Sequence, residues 1–180
     1  MGGGDKPLLE IGGRSMLARV LDALAAEAAE VAISANGDPA RFAAYGRPVL
    51  GDGAFIGCGP LAGVLAGLDW AFAQGGQVLL TVPGDTPFVP AGLAAALAPA
   101  PSCARSGGRL HPLVALWPVA AREDLRLMLS IPAPRDARRF AERIGMRAVE
   151  FATKAGDPFL NVNTEADLAA ARAIAGDPYS

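Results

Sequence analysis

Residues Gln77 to Val82 read QVLLTV, and no other segment of the chain restricts the fold as much. A strand with one solvated face alternates apolar and polar residues, whereas an unbroken apolar run suits a central parallel strand covered on both faces. Covering both faces needs helices on both sides of a sheet, so this strand predicts an α/β architecture. It ends in Pro83-Gly84-Asp85-Thr86-Pro87, and Pro90 is read as opening an alanine-rich helix.

The preceding segments keep the alternation. Met16, Leu17, Val20, Leu21 and Leu24 recur at helical spacing behind Ser15, a natural N-cap. Val31 to Ile33 reads as a short buried strand running into Ser34-Ala35-Asn36-Gly37, and Asp38-Pro39 starts a short helix to Tyr45. A second short strand at Pro48 to Leu50 precedes Gly51-Asp52-Gly53. Gly59-Pro60 then opens a helix with Leu61, Val64, Leu65, Leu68 and Phe72 on one face. On that helix Ala62, Gly63, Ala66 and Gly67 let a neighbour come close. Alternation of this kind predicts parallel strands joined by right-handed crossovers.

The second half is less regular. Ser102 to Arg105 and Leu113 to Trp117 flank Ser106-Gly107-Gly108-Arg109, which predicts a hairpin or an antiparallel strand at the sheet edge. Helices are expected at Ala120 to Leu129 and Arg135 to Ile144, then a strand at Met146 to Phe151. Thr164 caps a final helix with Glu165 and Asp167 in its first turn. Arg135, Arg138, Arg139, Arg143 and Arg147 form a basic cluster, read as a solvated helix face or an anionic-substrate contact. Trp70 and Trp117 fall on apolar faces and are expected in the core.

At 180 residues the chain has the length of one domain, taken as 1–180. With 19% charged residues and a net charge of -2, no bulk field draws it to nucleic acid or an anionic membrane, so an anion must be held locally. The apolar runs are too short to span a bilayer and the N-terminus lacks the pattern of a signal peptide, so the expected location is cytoplasmic. Cys58 and Cys103 have no metal-ligand spacing and read as buried thiols, with Cys58 also placed where it could line a cleft.

In open α/β sheets, ligands sit beyond the carboxyl ends of the strands. That rule gathers the loops after residues 33, 50 and 82 on one edge, together with the opening loop Met1 to Leu9, MGGGDKPLL. Glycines such as Gly2 and Gly3 let backbone N–H groups converge on one anion, and Lys6 adds a positive charge. Such a loop normally leaves the end of a buried strand. Lys6, Ser34 to Asn36, Asp52 and Asp85 therefore suit phosphoryl chemistry, with a carboxylate for Mg²⁺ and a cation for phosphate oxygens. Read singly, Asp52 and Asp85 are equally turn formers or helix caps. The one histidine, His111, has no partners at triad spacing and reads as a structural or substrate-contacting residue. The glycines fit neither G-x-G-x-x-G nor the G-K-[ST] of a P-loop.

These residues together resemble the molybdenum cofactor guanylyltransferase family over essentially the whole chain. MGGGDKPLL is similar to the end of that family's signature, LAGG-x-S-x-RMGG-x-DK-x-L. Asp52, GPLAG at 59 to 63, PGDTPFVP at 83 to 90, HPLVALW at 111 to 117 and NVNTEADL at 161 to 168 follow in order. The resemblance implies a Rossmann-like nucleotidyltransferase fold, a mainly parallel sheet with helices on both faces and a small antiparallel edge element. It implies transfer of GMP from GTP to the terminal phosphate of Mo-molybdopterin, with loss of pyrophosphate. Lys6 and Asp85 would be catalytic, with Mg²⁺ on Asp85, and Gly2, Gly3, Ser34, Asn36 and Asp52 would join them around the nucleotide. Gly59, Pro60, Gly63, His111, Asn161 and Asn163 would lie on the pterin side. Partners would be GTP, Mo-molybdopterin, other proteins of molybdenum cofactor biosynthesis and molybdoenzyme chaperones. Alternatives are a cytidylyl or sugar-phosphate nucleotidyltransferase of the same fold, or a degenerate, non-catalytic binding domain. Because Met1 matches the methionine inside the signature, the LAGG half, a strand and its glycine turn, is expected upstream in the coding frame, the alternative being a real truncation that leaves an exposed edge beside the strand at 31 to 33.

Overall fold

The computed structural model describes residues 6–132, 134–154 and 156–176. Lys6–Leu8 form a single 3₁₀ turn, followed by a two-stranded antiparallel ribbon, β1 (Glu10–Ile11) and β2 (Arg14–Ser15). Ser15 then caps α1 (Met16–Ala25), its Oγ accepting the Ala18 amide at 3.1 Å. The expected stripe buries Met16, Leu17, Val20 and Leu21. β3 (Ile33–Ser34) pairs in parallel with β4 (Val49–Leu50), and Pro39–Tyr45 between them is a 3₁₀ helix capped by Asp38.

After β4, Pro60 occupies the first turn of α2 (Pro60–Ala73), where its missing N–H costs nothing. Leu61, Val64, Leu65 and Leu68 are buried as the spacing requires, but Phe72 is 55% exposed. The Arg122 guanidinium covers it instead, 3.9 Å from the ring centroid. The next strand is β5 (Val78–Thr81). The expected helix from Pro90 shrinks to α3 (Leu93–Leu97), which begins behind Gly92 in a left-handed conformation.

β6 (Ser102–Ser106) and β7 (Arg109–Pro118) make the expected antiparallel hairpin. Its position differs from the expectation: the sheet order is β5-β7-β6-β8, with β8 at Arg147–Phe151, so the antiparallel strand β7 lies inside the sheet. β5 pairs with β7 and forms one end of this sheet, where an apolar run had predicted a central strand. α4 (Arg122–Ser130), α5 (Ala137–Arg143) and α6 (Glu165–Ala175) complete the chain, the last opened by a reciprocal Thr164–Asp167 capping box.

The largest cluster packs α2, β7, α4 and α5, with Trp117 fully buried and stacked on Phe140 at 6.0 Å. Trp70 is half-buried. Cys103 is buried, and Cys58 packs against the same core instead of lining a cleft. Arg147 spends its guanidinium on the carbonyls of Leu97 and Ala98, each at 3.0 Å, and Arg135 reaches the Leu129 carbonyl. Arg138 and Arg139 are the solvated face.

α2 orients the strands around it. Gly63, in its first turns, abuts Ser34 at the end of β3, and Gly67, one turn on, abuts Leu79 near the start of β5. The helix therefore descends while the strands ascend, and the carboxyl ends of β3, β4 and β5 share one edge. Ile33 packs with α1 and Ser34 against α2, so helices cover both faces of β3. No helix among the described residues is long and apolar enough to cross a membrane.

Candidate active site

The first group at that edge joins the ends of β3 and β4. Asn36 Nδ2 donates to Asp52 Oδ2 at 2.6 Å, and the Asp52 amide donates back to Asn36 Oδ1 at 3.0 Å. Asp52 precedes the 3₁₀ turn Gly53–Phe55 without capping it, so its carboxylate serves Asn36. Arg41, which no local sequence signal selects, holds the Asn36 carbonyl at 2.6 Å. Gly63 stands where a Cβ would lie 2.5 Å from Ser34 Oγ and 3.7 Å from Asp52 Oδ1. Only glycine lets α2 come this close to the pair.

The second group is built on the loop after β5. Gly84 packs on Pro7, where a Cβ would stand 3.2 Å from Pro7 Cβ, and this contact brings Lys6 over the loop. Lys6 Nζ donates to the Asn163 carbonyl at 3.3 Å. Burial pushes the Asp85 carboxyl above its ordinary value, while its own backbone amide and the Lys6 charge pull it partly back. The Asp85 carbonyl accepts the Val162 amide at 3.0 Å, and fully buried Thr86 donates to Asn161 Oδ1 at 2.9 Å. Thr86 was visible only as part of the turn motif; its burial was not.

The third group surrounds His111. Ser106 Oγ gives its hydrogen to Asp157 Oδ1 at 2.7 Å, so His111 Nε2, 2.8 Å away, is the donor to Ser106. Burial pushes the His111 imidazole below its usual pKa, Asp157 opposing and Arg109 adding to the effect. Pro83, Arg109, His111 and Asn161 line a small pocket of about 160 Å³. The contact across 51 residues between Ser106 and Asp157 left no signal in the sequence.

The expected residues are thus grouped differently from the resemblance. Ser34, Asn36 and Asp52 meet, and Lys6, Asp85, Asn161 and Asn163 meet, but Gly59, Pro60 and Gly63 stand with Ser34 and Asp52, apart from His111. Gly2 and Gly3 lie outside the described residues. No three His, Cys, Asp or Glu side chains cluster in a metal-binding arrangement among the described residues. A magnesium ion shared between one carboxylate and substrate phosphates needs only Asp85 from the protein, and the donor set fits that use.

A cation and a carboxylate at the strand ends of an α/β sheet, beside an amide–carboxylate pair, are the equipment for handling a nucleoside triphosphate. Residues 1–149 match the family model of the MobA-like NTP transferase domain, which sets the class as nucleotidyltransferase. A molybdenum cofactor guanylyltransferase of Acidiphilium cryptum (strain JF-5) is 56% identical over 173 residues, 96% of this chain and 88% of that protein. Another from Rhodopseudomonas palustris (strain BisB5) is 47% identical over 184 residues, 97% of this chain and 88% of that one. The chain belongs to the molybdenum cofactor guanylyltransferase family. Among solved structures, molybdopterin-guanine dinucleotide biosynthesis protein A from Archaeoglobus fulgidus superposes with a TM-score of 0.73 at 19% identity, covering 97% of this chain and 92% of that one. The 2-C-methyl-D-erythritol 4-phosphate cytidylyltransferase of Thermus thermophilus gives 0.64 at 22% identity, over 97% and 96%. These two likenesses establish the nucleotidyltransferase fold.

Proposed function

We propose that the chain transfers GMP from GTP to the terminal phosphate of Mo-molybdopterin, forming the guanine dinucleotide cofactor and releasing pyrophosphate. The observation that carries this reading is the meeting of Lys6 and Asp85 at the strand ends, in a member of this family. A terminal phosphate oxygen attacks the α-phosphorus, a new P–O bond forms, and the bond to the β-phosphate breaks with its electrons leaving on pyrophosphate. Lys6 compensates negative charge on the phosphate chain. Asp85 would hold Mg²⁺, which supplies charge neutralisation on the triphosphate when bound. Asn36 and Asp52, locked to each other, orient the nucleoside, with Ser34 beside them. His111, Asn161 and Asn163 face the second substrate. The reaction belongs in the cytoplasm, with hand-over of product to other cofactor-handling proteins.

Pyrophosphate release and thermal shift should be measured with Mg²⁺ and GTP, CTP or UTP. GTP-selective stabilisation and turnover with Mo-molybdopterin are expected. Preference for CTP would sink the guanine assignment, and no magnesium-dependent binding of any nucleotide would favour a non-catalytic domain.

A further inference from the structure

The chain has a single histidine, and residues from three separate segments set the state of its ring. His111 of β7 and Ser106 of β6 are both buried, with Ser106 Oγ 2.8 Å from Nε2. A serine hydroxyl can give its hydrogen to a ring nitrogen or take one from it, so Ser106 alone leaves the tautomer open. Asp157 closes it. Its carboxylate only accepts, and Oδ1 takes the Ser106 hydrogen at 2.7 Å and the Phe159 amide at 2.9 Å. Nε2 must then carry the ring hydrogen. Phe159 lies against the imidazole, ring centroids 5.2 Å apart, so the turn that aims Asp157 also holds the ring. Burial lowers the imidazole pKa, against the pull of Asp157 and with help from Arg109.

A neutral ring with its hydrogen on Nε2 presents Nδ1 as a bare acceptor. Nδ1 has no hydrogen-bond partner among the described residues, nor is it sealed from solvent. His111 lines the small pocket that it shares with Pro83, Arg109 and Asn161. The Arg109 guanidinium can only donate, and Asn161 has given its oxygen to Thr86, which leaves its N–H groups. Nδ1 is therefore the acceptor among these side chains. A phosphate offers acceptors alone and has nothing to give it. A ring edge that alternates a carbonyl with N–H groups matches the whole set, and a pterin has such an edge. We propose that Ser106 and Asp157 are positioning residues that hold His111 as its Nε2–H tautomer, so that Nδ1 accepts an N–H of the second substrate's pterin ring, an assignment that rests on the reaction proposed above. Moving the hydrogen to Nδ1 would set donor against donor and reject that ring.

Labelling with ¹⁵N-histidine gives one pair of ring-nitrogen signals in NMR, and bare and hydrogen-bearing nitrogens are well separated in shift. The parent should show hydrogen on Nε2 and a bare Nδ1; the reverse, or a mixture, overturns the proposal. In Asp157→Ala, Nε2 is the partner left to the buried Ser106 hydroxyl, so the ring hydrogen should move to Nδ1. In Asp157→Asn the Phe159 amide still orients Oδ1 toward both donors, and the parent tautomer should return. Ser106→Ala should give a mixture, and it serves if Asp157→Ala does not fold. Mo-molybdopterin should move the Nδ1 signal of the parent. Its KM should rise about 10–100-fold in Asp157→Ala, with kcat and the KM for GTP within about twofold, and recover in Asp157→Asn. An unmoved tautomer in both Asp157→Ala and Ser106→Ala, or a turned tautomer with unchanged KM, overturns the assignment. An unresponsive Nδ1 beside intact turnover sinks this inference alone, whereas a responding Nδ1 without GTP turnover sinks the proposed reaction alone.

Discussion

Thr86→Val tests whether the second group is held together by the side-chain hydrogen bond from Thr86 to Asn161. Valine keeps the shape of threonine and removes the hydroxyl, so packing around this fully buried residue changes little. What is lost is the 2.9 Å bond to Asn161 Oδ1, leaving an amide oxygen without its donor. Removing one partner of a buried pair costs about 1–3 kcal/mol, and Asn161 is half-buried, which places the expected loss at about 1–2 kcal/mol. For a domain of this size that is a fall in Tm of roughly 2–8 °C. The segment carrying Asn161 also carries Asn163, whose carbonyl receives Lys6, so kcat/KM should fall as well. Urea denaturation of Thr86→Val, Asn161→Ala and the double variant closes a cycle with an expected coupling of about 1 kcal/mol. Additive single effects, or a Thr86→Val chain as stable as the parent, would refute the argument.

Burial raises the Asp85 carboxyl, so the folded chain keeps a proton that the unfolded chain releases, and stability falls as pH rises from the ordinary carboxylate range through the raised value. Asp85→Asn should remove that slope in pH-dependent unfolding, stabilise the free protein at neutral pH and abolish magnesium-dependent turnover; retained turnover would remove Asp85 from the mechanism. Glu27→Ala should cost about 1–2 kcal/mol in urea titrations, because its carboxylate accepts the Leu93 and Ala94 amides at 3.0 and 2.6 Å and caps α3 from 66 residues away. Gly63→Ala should force Ser34 to another rotamer at about 0.5–1.5 kcal/mol and raise KM for the nucleotide far more than it lowers kcat. An unchanged KM would show that Ser34 and the first turn of α2 do not touch the nucleotide.

Features carried by neighbours in sequence were legible. Ser15, Asp38 and Thr164 cap helices because their side chains reach amides two or three residues on, and the Pro60 helix starts where its proline must. The strand-end rule gathered Lys6 and Asp85 on one edge, and the structure does bring them together, because each lies beside a strong local signal. Long-range contacts were not legible. Nothing near Glu27 announces that it caps α3, and nothing near Ser106 announces Asp157. Phe72 has the right helical angle for the core, yet ends under Arg122, a partner 50 residues further on whose approach depends on how α4 packs on α2. β7 illustrates the same limit: the hairpin was local and visible, while its insertion between β5 and β6 depends on pairings made across the whole sheet.

The disposition of His111 bears on whether the site uses a general base. Its Nε2 is committed to Ser106, whose hydrogen is committed to Asp157, and burial pushes the ring's pKa below its usual value. A base working through Nε2 would first have to break this chain. A phosphate nucleophile does not need it to: its second ionisation is near pH 6, so the attacking oxygen is already anionic at neutral pH. In the proposed reaction, charge compensation by Lys6 and alignment of two phosphates would then be the chemical tasks, without proton removal among them. His111→Gln keeps an amide N–H that can serve Ser106. Loss of a true general base costs about 10²–10⁴-fold in rate. Here kcat should change by less than about tenfold with the low-pH limb of its pH profile in place, and the change should appear in KM for the pterin substrate. A hundredfold loss of kcat together with disappearance of that limb would make His111 the base and overturn this reading of its hydrogen bonds.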